Sequence, residues 1–327
     1  MLRFVVRRLV NYVILVFVAT SLAYLLASAT LDPLSYYLHG QKQVNLPAIH
    51  ASLRSYNIDP DTSVWSRYWH WITRIIFHGD FGRSFPGGDT VTSEMGRRIG
   101  VSLRLLLVGS VLSVIIGVLT GVYSALHQYK PSDHSISVLS FVLLSTPVFL
   151  LATFVKAGAI NLRQNAGVSW LPTANECPST GVCSLIDRGE HLILPTIVLV
   201  FGAAGAAFFT RYQRSAMLDV LGSDFLRTAQ AKGLSRRKAF YKHGLRTALI
   251  PMATFFAFQF GTLLVGAVFT ERIFNWHGMG AWVIDTINSA DVNGIAAITA
   301  FAAVMILISG MLSDIFYAIL DPRVRMS

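Results

Sequence analysis

Residues 99–126 read IGVSLRLLLVGSVLSVIIGVLTGVYSAL, 28 positions with one formally charged side chain, Arg104. A helix crossing about 30 Å of hydrocarbon needs about 20 mostly apolar residues, so this run has the length and composition of a membrane span. Five more runs meet the same standard: residues 9–31, 136–160, 191–209, 248–269 and 294–320. The run at 191–209 has the weakest local signal, because Pro195 and the small residues of 202–207 interrupt it. Composition agrees with the runs. Hydrophobic residues make up 53% of the 327 residues and charged residues 13%, with a mean hydropathy of +0.54, against about 25% charged in an ordinary soluble domain. That little charge cannot coat globular surfaces. The reading excludes a soluble enzyme, a disordered chain and a secreted mini-domain, and predicts an all-α polytopic membrane protein with six transmembrane helices.

The first run follows Arg3, Arg7 and Arg8 and contains Ala27-Ser28-Ala29, which is also the pattern of a cleaved signal peptide. The apolar region of such a peptide is about 7–15 residues long; this one is longer and is read as a retained helix. Excess Lys and Arg collect on the cytoplasmic side. With the N-terminus inside, cytoplasmic segments hold 15 of the 27 basic residues, nine of them between Arg211 and Arg246. Seven of the remainder lie in residues 32–98, a loop longer than the ~60 residues over which the rule counts well. Both termini are therefore expected in the cytoplasm, and the net charge of +10 follows from topology without invoking nucleic acid.

The organisation that results is an N-terminal tail and first span (1–31), a long external loop with short helices (32–98), a core of five spans (99–320) containing a second external loop (161–190) and a cytoplasmic segment (217–246), and a C-terminal tail (321–327). In the first loop Trp65, Tyr68, Trp69, Ile72 and Ile76 recur at helical spacing. Such an aromatic stripe suits the membrane interface or the protein's own outer surface. Residues 78–85, with two glycines in four positions, read as a turn. In the second loop Cys177 and Cys183 face an oxidising exterior, which permits a disulfide; the alternative is two free thiols in a loop. Lys156 and Arg104 lie near outer helix ends, where long side chains snorkel to the headgroups. Asp314 lies near the cytoplasmic end of the sixth span. Gly117 with Gly121, and Gly202 with Gly205, are read as close-packing positions.

No HExxH, GxSxG or GxxxxGK[ST] pattern occurs, so the chain is not expected to be catalytic and any ATP must be bound by another subunit. The informative stretch is 217–246, with seven basic residues against Asp219 and Asp224. Ser223 is placed to cap a short helix whose first turn carries Asp224. The helix continues through Arg227, Thr228, Ala229, Ala231 and Lys232. Gly233 supplies a left-handed ending and Leu234 its apolar contact; Ser235 caps a second helix from Arg236 to about His243. Ala229 and Ala231 leave room for a partner to approach.

The run Asp224-Phe225-Leu226-Arg227-Thr228-Ala229-Gln230-Ala231-Lys232-Gly233-Leu234-Ser235 resembles the coupling loop of ABC importer permeases, in the form typical of the oligopeptide and dipeptide family. Gly79-Asp80-Phe81-Gly82-Arg83-Ser84, Trp170-Leu171-Pro172, Glu271-Arg272-Ile273-Phe274 with Gly278-Met279-Gly280, and Asp314, Tyr317 and Asp321-Pro322-Arg323 match further elements of that family in order. Departures are Gly100 and His277 in place of prolines, Val292-Asn293 in place of Tyr-Pro, and Arg227 where the broader importer motif has glutamate. The resemblance implies a type I ABC importer permease fold in a bacterial plasma membrane and half of a translocation path. It implies a homologous second permease, two cytoplasmic ATPases carrying ATP and Mg, and an external substrate-binding protein. It implies no cofactor on this chain. Short peptides are the expected solute, with nickel, haem or another small solute carried by relatives. A secondary transporter or channel working alone is the rival class; it would show inverted repeats and ionisable residues near midplane. Reading the basic segment as a lipid or nucleic-acid patch does not account for its alanine and glycine placement.

Overall fold

The structure, a computed structural model, describes residues 2–38, 45–168, 170–178, 182–202 and 205–320. Among these the regular elements are helical, apart from one bridge between Arg83 and Thr90. In chain order they are α1 (Leu2–Thr30), α2 (Pro33–Leu38), α3 (Leu46–Ser55), α4 (Val64–His78), α5 (Val91–Leu126), α6 (Pro131–Ser145), α7 (Val148–Ala166), α8 (Leu185–Phe201), α9 (Ala206–Leu221), α10 (Asp224–Ala231), α11 (Arg236–Ala239), a π-helical turn (Phe240–Gly244), α12 (Leu245–Ile273), α13 (Met279–Asn288) and α14 (Val292–Leu320).

Among the described residues, three helical segments are apolar and long enough to span a bilayer: Val10–Thr30, Val91–Leu126 and Val292–Ser313. They overlap the first, second and sixth predicted runs. The fifth run lies within α12. The third and fourth each fall on a helix pair, and the third is the larger departure. Residues 136–160 are not one straight helix: α6 and α7 meet at 106°. The cause is Pro147, which cannot donate a backbone hydrogen bond and pushes its predecessor out of the helical region. Thr146 is accordingly extended, with φ −85° and ψ 120°. In the fourth run the helix passes through Pro195 and ends at Phe201; Gly202 is extended, and α9 begins at Ala206. The start is also earlier than the hydropathy suggested, because Ser184 and Asp187 form a reciprocal capping box at 3.1 and 2.9 Å and fix the N-terminus in polar sequence.

The chain divides into two compact units. The first comprises Met1–Ser102 and His277–Leu307. Its core joins Tyr24 and Ala27 of α1, Leu53 of α3, Trp71 and Ile72 of α4, Phe85, and Val292 and Ala296 of α14. Tyr24 stacks on Trp71 with ring centroids 4.3 Å apart. Residues 78–85 form the expected turn: Gly79 ends α4 at φ 63°, and Gly82 has φ 95°. Asn293, one of the family departures, acts as a staple here. Its Nδ2 donates to the carbonyls of Tyr56 (3.0 Å) and Arg83 (3.1 Å), which a proline at that position cannot do.

The second unit comprises Leu103–Trp276 and Ile308–Ser327, of which 321–327 lie outside the described residues. Here α5 packs on α9 through its glycines. A Cβ on Gly117 would sit 2.4 Å from the Phe209 Cβ, and one on Gly121 would sit 2.7 Å from the Thr210 carbonyl. The packing role assigned to this pair holds, and the Thr120 and Thr210 hydroxyls meet alongside it at 2.7 Å. Lys156, expected near the headgroups, has partners within the protein. Its Nζ donates to the Ile273 carbonyl and lies over the Phe274 ring, so it caps the negative end of α12.

Candidate coupling site

α9 ends at Leu221, and the chain turns through Gly222 and Ser223 into α10. Ser223 occupies the N-cap position but does not cap: its hydroxyl turns back and donates to the Val220 carbonyl at 2.6 Å. The first turn of α10 instead carries Asp224, favoured by the partial positive charge there. The ending matches expectation. Gly233 has φ 90°, its N–H bonds the Gln230 carbonyl at 2.9 Å, and the Leu234 N–H bonds the Ala229 carbonyl at 3.2 Å. Those two bonds make a Schellman motif with Leu234 as its apolar contact.

The segment 235–246 differs from the two-helix reading. The Ser235 hydroxyl caps Lys238 N–H at 3.4 Å as predicted, but α11 then runs through the π-helical turn Phe240–Gly244 directly into α12. The second short helix and the fifth span are one continuous rod, offset by a single π turn. The absence of a Cβ at Gly244 admits this: one there would lie 3.3 Å from Val220 Cγ1 and 3.4 Å from Leu226 Cδ1.

The alanines separate. Leu226, Phe240, Met217, Val220, Ala125, Ala239 and Ala248 form a buried cluster, and Ala229 and Leu234 pack on its margin. Ala229 therefore faces the protein's own core and is not a clearance for a partner. Ala231 is exposed, with Asp224, Arg227, Thr228, Lys232, Gly233 and Ser235. Arg227 and Asp224 approach at 3.5 Å with side chains 75% and 95% exposed, an ion pair worth little in water that leaves both groups open to a partner. The side chains of Arg236 and Arg237 lie outside the described set, as do those of Asp314 and Tyr317.

A residue pair that hydropathy and motif reading missed lies on α6 and α9, the latter being the helix that leads into this segment. Asp133, in the first turn of α6, is buried and accepts from Arg214 of α9 at both oxygens, Nε to Oδ1 and Nη2 to Oδ2, each at 2.8 Å. Ser124 of α5 donates to the same carboxylate, and the Tyr129 N–H donates at 3.0 Å. Three helices are thus tied at the level where α9 leads into α10.

On the other loop cluster, Cys177 and Cys183 form the predicted disulfide. The loop containing Cys177 is held to the end of α12: Asn175 N–H donates to the Phe274 carbonyl at 2.8 Å, and His191 Nδ1 lies 2.7 Å from the Asn175 carbonyl. Near α3, His50 and Asp59 meet at 2.7 Å, and Arg54 Nε donates to Asp59 at 2.7 Å. Burial alone would raise the Asp59 carboxyl, but the hydrogen bonds from His50, Arg54 and the Asp61 N–H outweigh it and hold the group below the usual carboxylate range.

Among the described residues the chain is helical, with apolar helices long enough for a multi-pass membrane protein and a polar segment between α9 and α12. The family of binding-protein-dependent transport system inner membrane components matches residues 117–326, and the chain belongs to that family. It is similar, at 46% identity over the full length of both chains, to the oligopeptide transport system permease protein OppB of Mycobacterium tuberculosis. It is 37% identical to the oligopeptide transport system permease protein AppB of Bacillus subtilis over 79% of this chain and 80% of that one. Against the dipeptide transport system permease protein DppB of Escherichia coli it is 32% identical over 99% of each. The chain is a transport subunit of an ABC importer and not itself a catalyst.

Proposed function

We propose that this permease imports short peptides, and that the exposed face of α10 is where a cytoplasmic ATPase docks. The observation that carries the docking reading is the division of labour within one helix. Leu226, Ala229 and Leu234 lock α10 to the cluster at the ends of α5, α9 and α12, while Asp224, Arg227, Thr228, Ala231 and Lys232 stand exposed. A helix anchored on one side and open on the other transmits a push along α9 and α12. The peptide assignment rests on the similarity to oligopeptide and dipeptide transport system permeases. In this reading a homologous second permease completes the path, two ATPases supply ATP and Mg, a binding protein delivers solute outside, and both termini lie in the bacterial cytoplasm. A nickel or haem importer of the same family is the alternative for the solute.

The test is Ala231→Trp, which adds bulk to the exposed face without entering the core. The variant should assemble with the companion permease and lose ATPase association and peptide uptake together. Normal association would refute the docking reading. Charge reversal at Arg236 and Arg237 is the contrast: if it alone abolishes function, an electrostatic lipid contact replaces the docking site. Because Cys177 and Cys183 are bonded to each other, a cysteine introduced at Ser235 is a clean topology probe. It should resist an impermeant thiol reagent in intact cells.

A further inference from the structure

We propose that the outward face of α4 is immersed in the outer leaflet of the bilayer, as a helix lying at the headgroup boundary against a lipid surface. α4 has two arginines, and both are turned away from that face. Arg67 is buried, donating to the carbonyls of Ile58 and Ser28 at 3.3 Å each. Arg74 is paired with Asp80. What remains outward is Trp65 and Trp69, each 64% exposed, and Ile76 and Phe77 at 62% and 77%, flanked by the neutral side chains of Ser66 and Thr73 and by His70. That face carries no Lys, Arg, Asp or Glu. Large apolar exposure of this kind calls for a cover, and tryptophans with a polar flank are the signature of the membrane–water boundary.

Its place on the molecule is fixed by α1. Tyr68 donates to the Ser21 hydroxyl at 3.0 Å, and Trp71 stacks on Tyr24. The apolar span of α1 ends at Thr30. The two contacts fall six and nine residues before that end and so seat α4 against the outer part of the span. Beside them α1 exposes Val18, Leu22 and Leu26, so the open face of α4 continues a surface that already meets hydrocarbon. Lipid is the occupant this continuity and the missing charge select.

The test uses the assembled transporter in phosphatidylcholine–phosphatidylglycerol vesicles. Nitroxides attached at Trp69→Cys and Ile76→Cys should collide with oxygen several-fold more, relative to a water-soluble nickel chelate, than a nitroxide at exposed Ser55→Cys. Chelate collisions at the level of Ser55 would place the face in water and overturn the proposal. Immobilised nitroxides reached by neither quencher would place it under another protein and overturn it equally. A milder pair of substitutions covers any labelled variant that fails to assemble. Emission quenched by brominated lipid should fall in Trp65→Phe/Trp69→Phe compared with the unmodified chain, and unchanged quenching sinks the idea.

Discussion

Arg214 of α9 grips Asp133 of α6 with two parallel 2.8 Å hydrogen bonds, eighty-one positions apart in the chain and adjacent to the start of the coupling segment. The carboxylate is 5% exposed and the guanidinium 28%. Breaking a fully buried pair costs about 3–5 kcal/mol; with the arginine partly in water, about 2–3 kcal/mol is expected for Asp133→Asn. Arg214→Lys keeps the charge but loses the fork geometry and should cost less. Thermal unfolding of the detergent-solubilised transporter should rank the unmodified protein above Arg214→Lys and that above Asp133→Asn. In Asp133→Ala/Arg214→Ala the loss should be smaller than the sum of the Asp133→Ala and Arg214→Ala losses. Additive losses would show that the two side chains do not act as a unit.

Gly233 ends α10 at φ 90°, and a Cβ placed there would meet nothing within 4 Å. Any cost of substitution is thus backbone strain and not a clash. Gly233→Val should cost roughly 1–3 kcal/mol locally, loosen the bond from Leu234 N–H to the Ala229 carbonyl, and reduce ATPase association and uptake in parallel. Gly233→Asn should retain more of both, since asparagine tolerates the left-handed region better than a branched residue. Equal behaviour of the two variants would mean that the turn does not set the position of the docking face.

Much of this was legible in the sequence. Arg104 is the one charge in 28 residues of the second span, and the Gly233-Leu234-Ser235 ending matched because helix caps are local, decided within one turn. What was not legible depended on distant partners. Hydropathy averages over Thr146-Pro147 and so joined α6 to α7, although the proline alone breaks the helix. Ala229 and Ala231 are the same residue two positions apart. Only the placement of Leu226 and Phe240 reveals that one faces inward and the other outward. α13, ten residues with Trp282 buried, gave no separate signal between two apolar runs. Asp133 and Arg214 sit at span ends where charge is common, and nothing in either neighbourhood announces the other.

Loss of the Cys177–Cys183 bond should be felt locally. The closed loop is short, and by chain entropy alone the bond contributes on the order of 2 kcal/mol. Cys177→Ser/Cys183→Ser should therefore fold and insert. The loop should become more labile to protease added outside, because Asn175 and its bond to the Phe274 carbonyl lie two residues from Cys177. Peptide mass mapping after limited proteolysis measures this; an unchanged cleavage pattern would mean that the contact with the α12 end holds the loop unaided.

The buried Asp291 carboxyl predicts a pH-dependent first unit. This carboxyl caps α14, accepting from Gly294 N–H at 3.0 Å, and takes the Ser84 hydroxyl at 2.6 Å. Burial raises the group to about 6, against the hydrogen bonds from Ser84 and the backbone, which act to lower it. A carboxyl raised in the folded state adds stability that is fully present below its unfolded value near 3.8 and is lost as pH rises through about 6. The displacement corresponds to ~3 kcal/mol at its upper bound. The contact between the 82–85 turn and the start of α14 should thus tighten as the pH falls from 7.5 to 5. Hydrogen exchange of peptides covering 80–90 and 290–296, corrected for the intrinsic pH dependence, should show protection rising over that window. In Asp291→Asn, which cannot ionise, the corrected protection should stay level across it. A variant that keeps the full pH response would assign the sensitivity to another group.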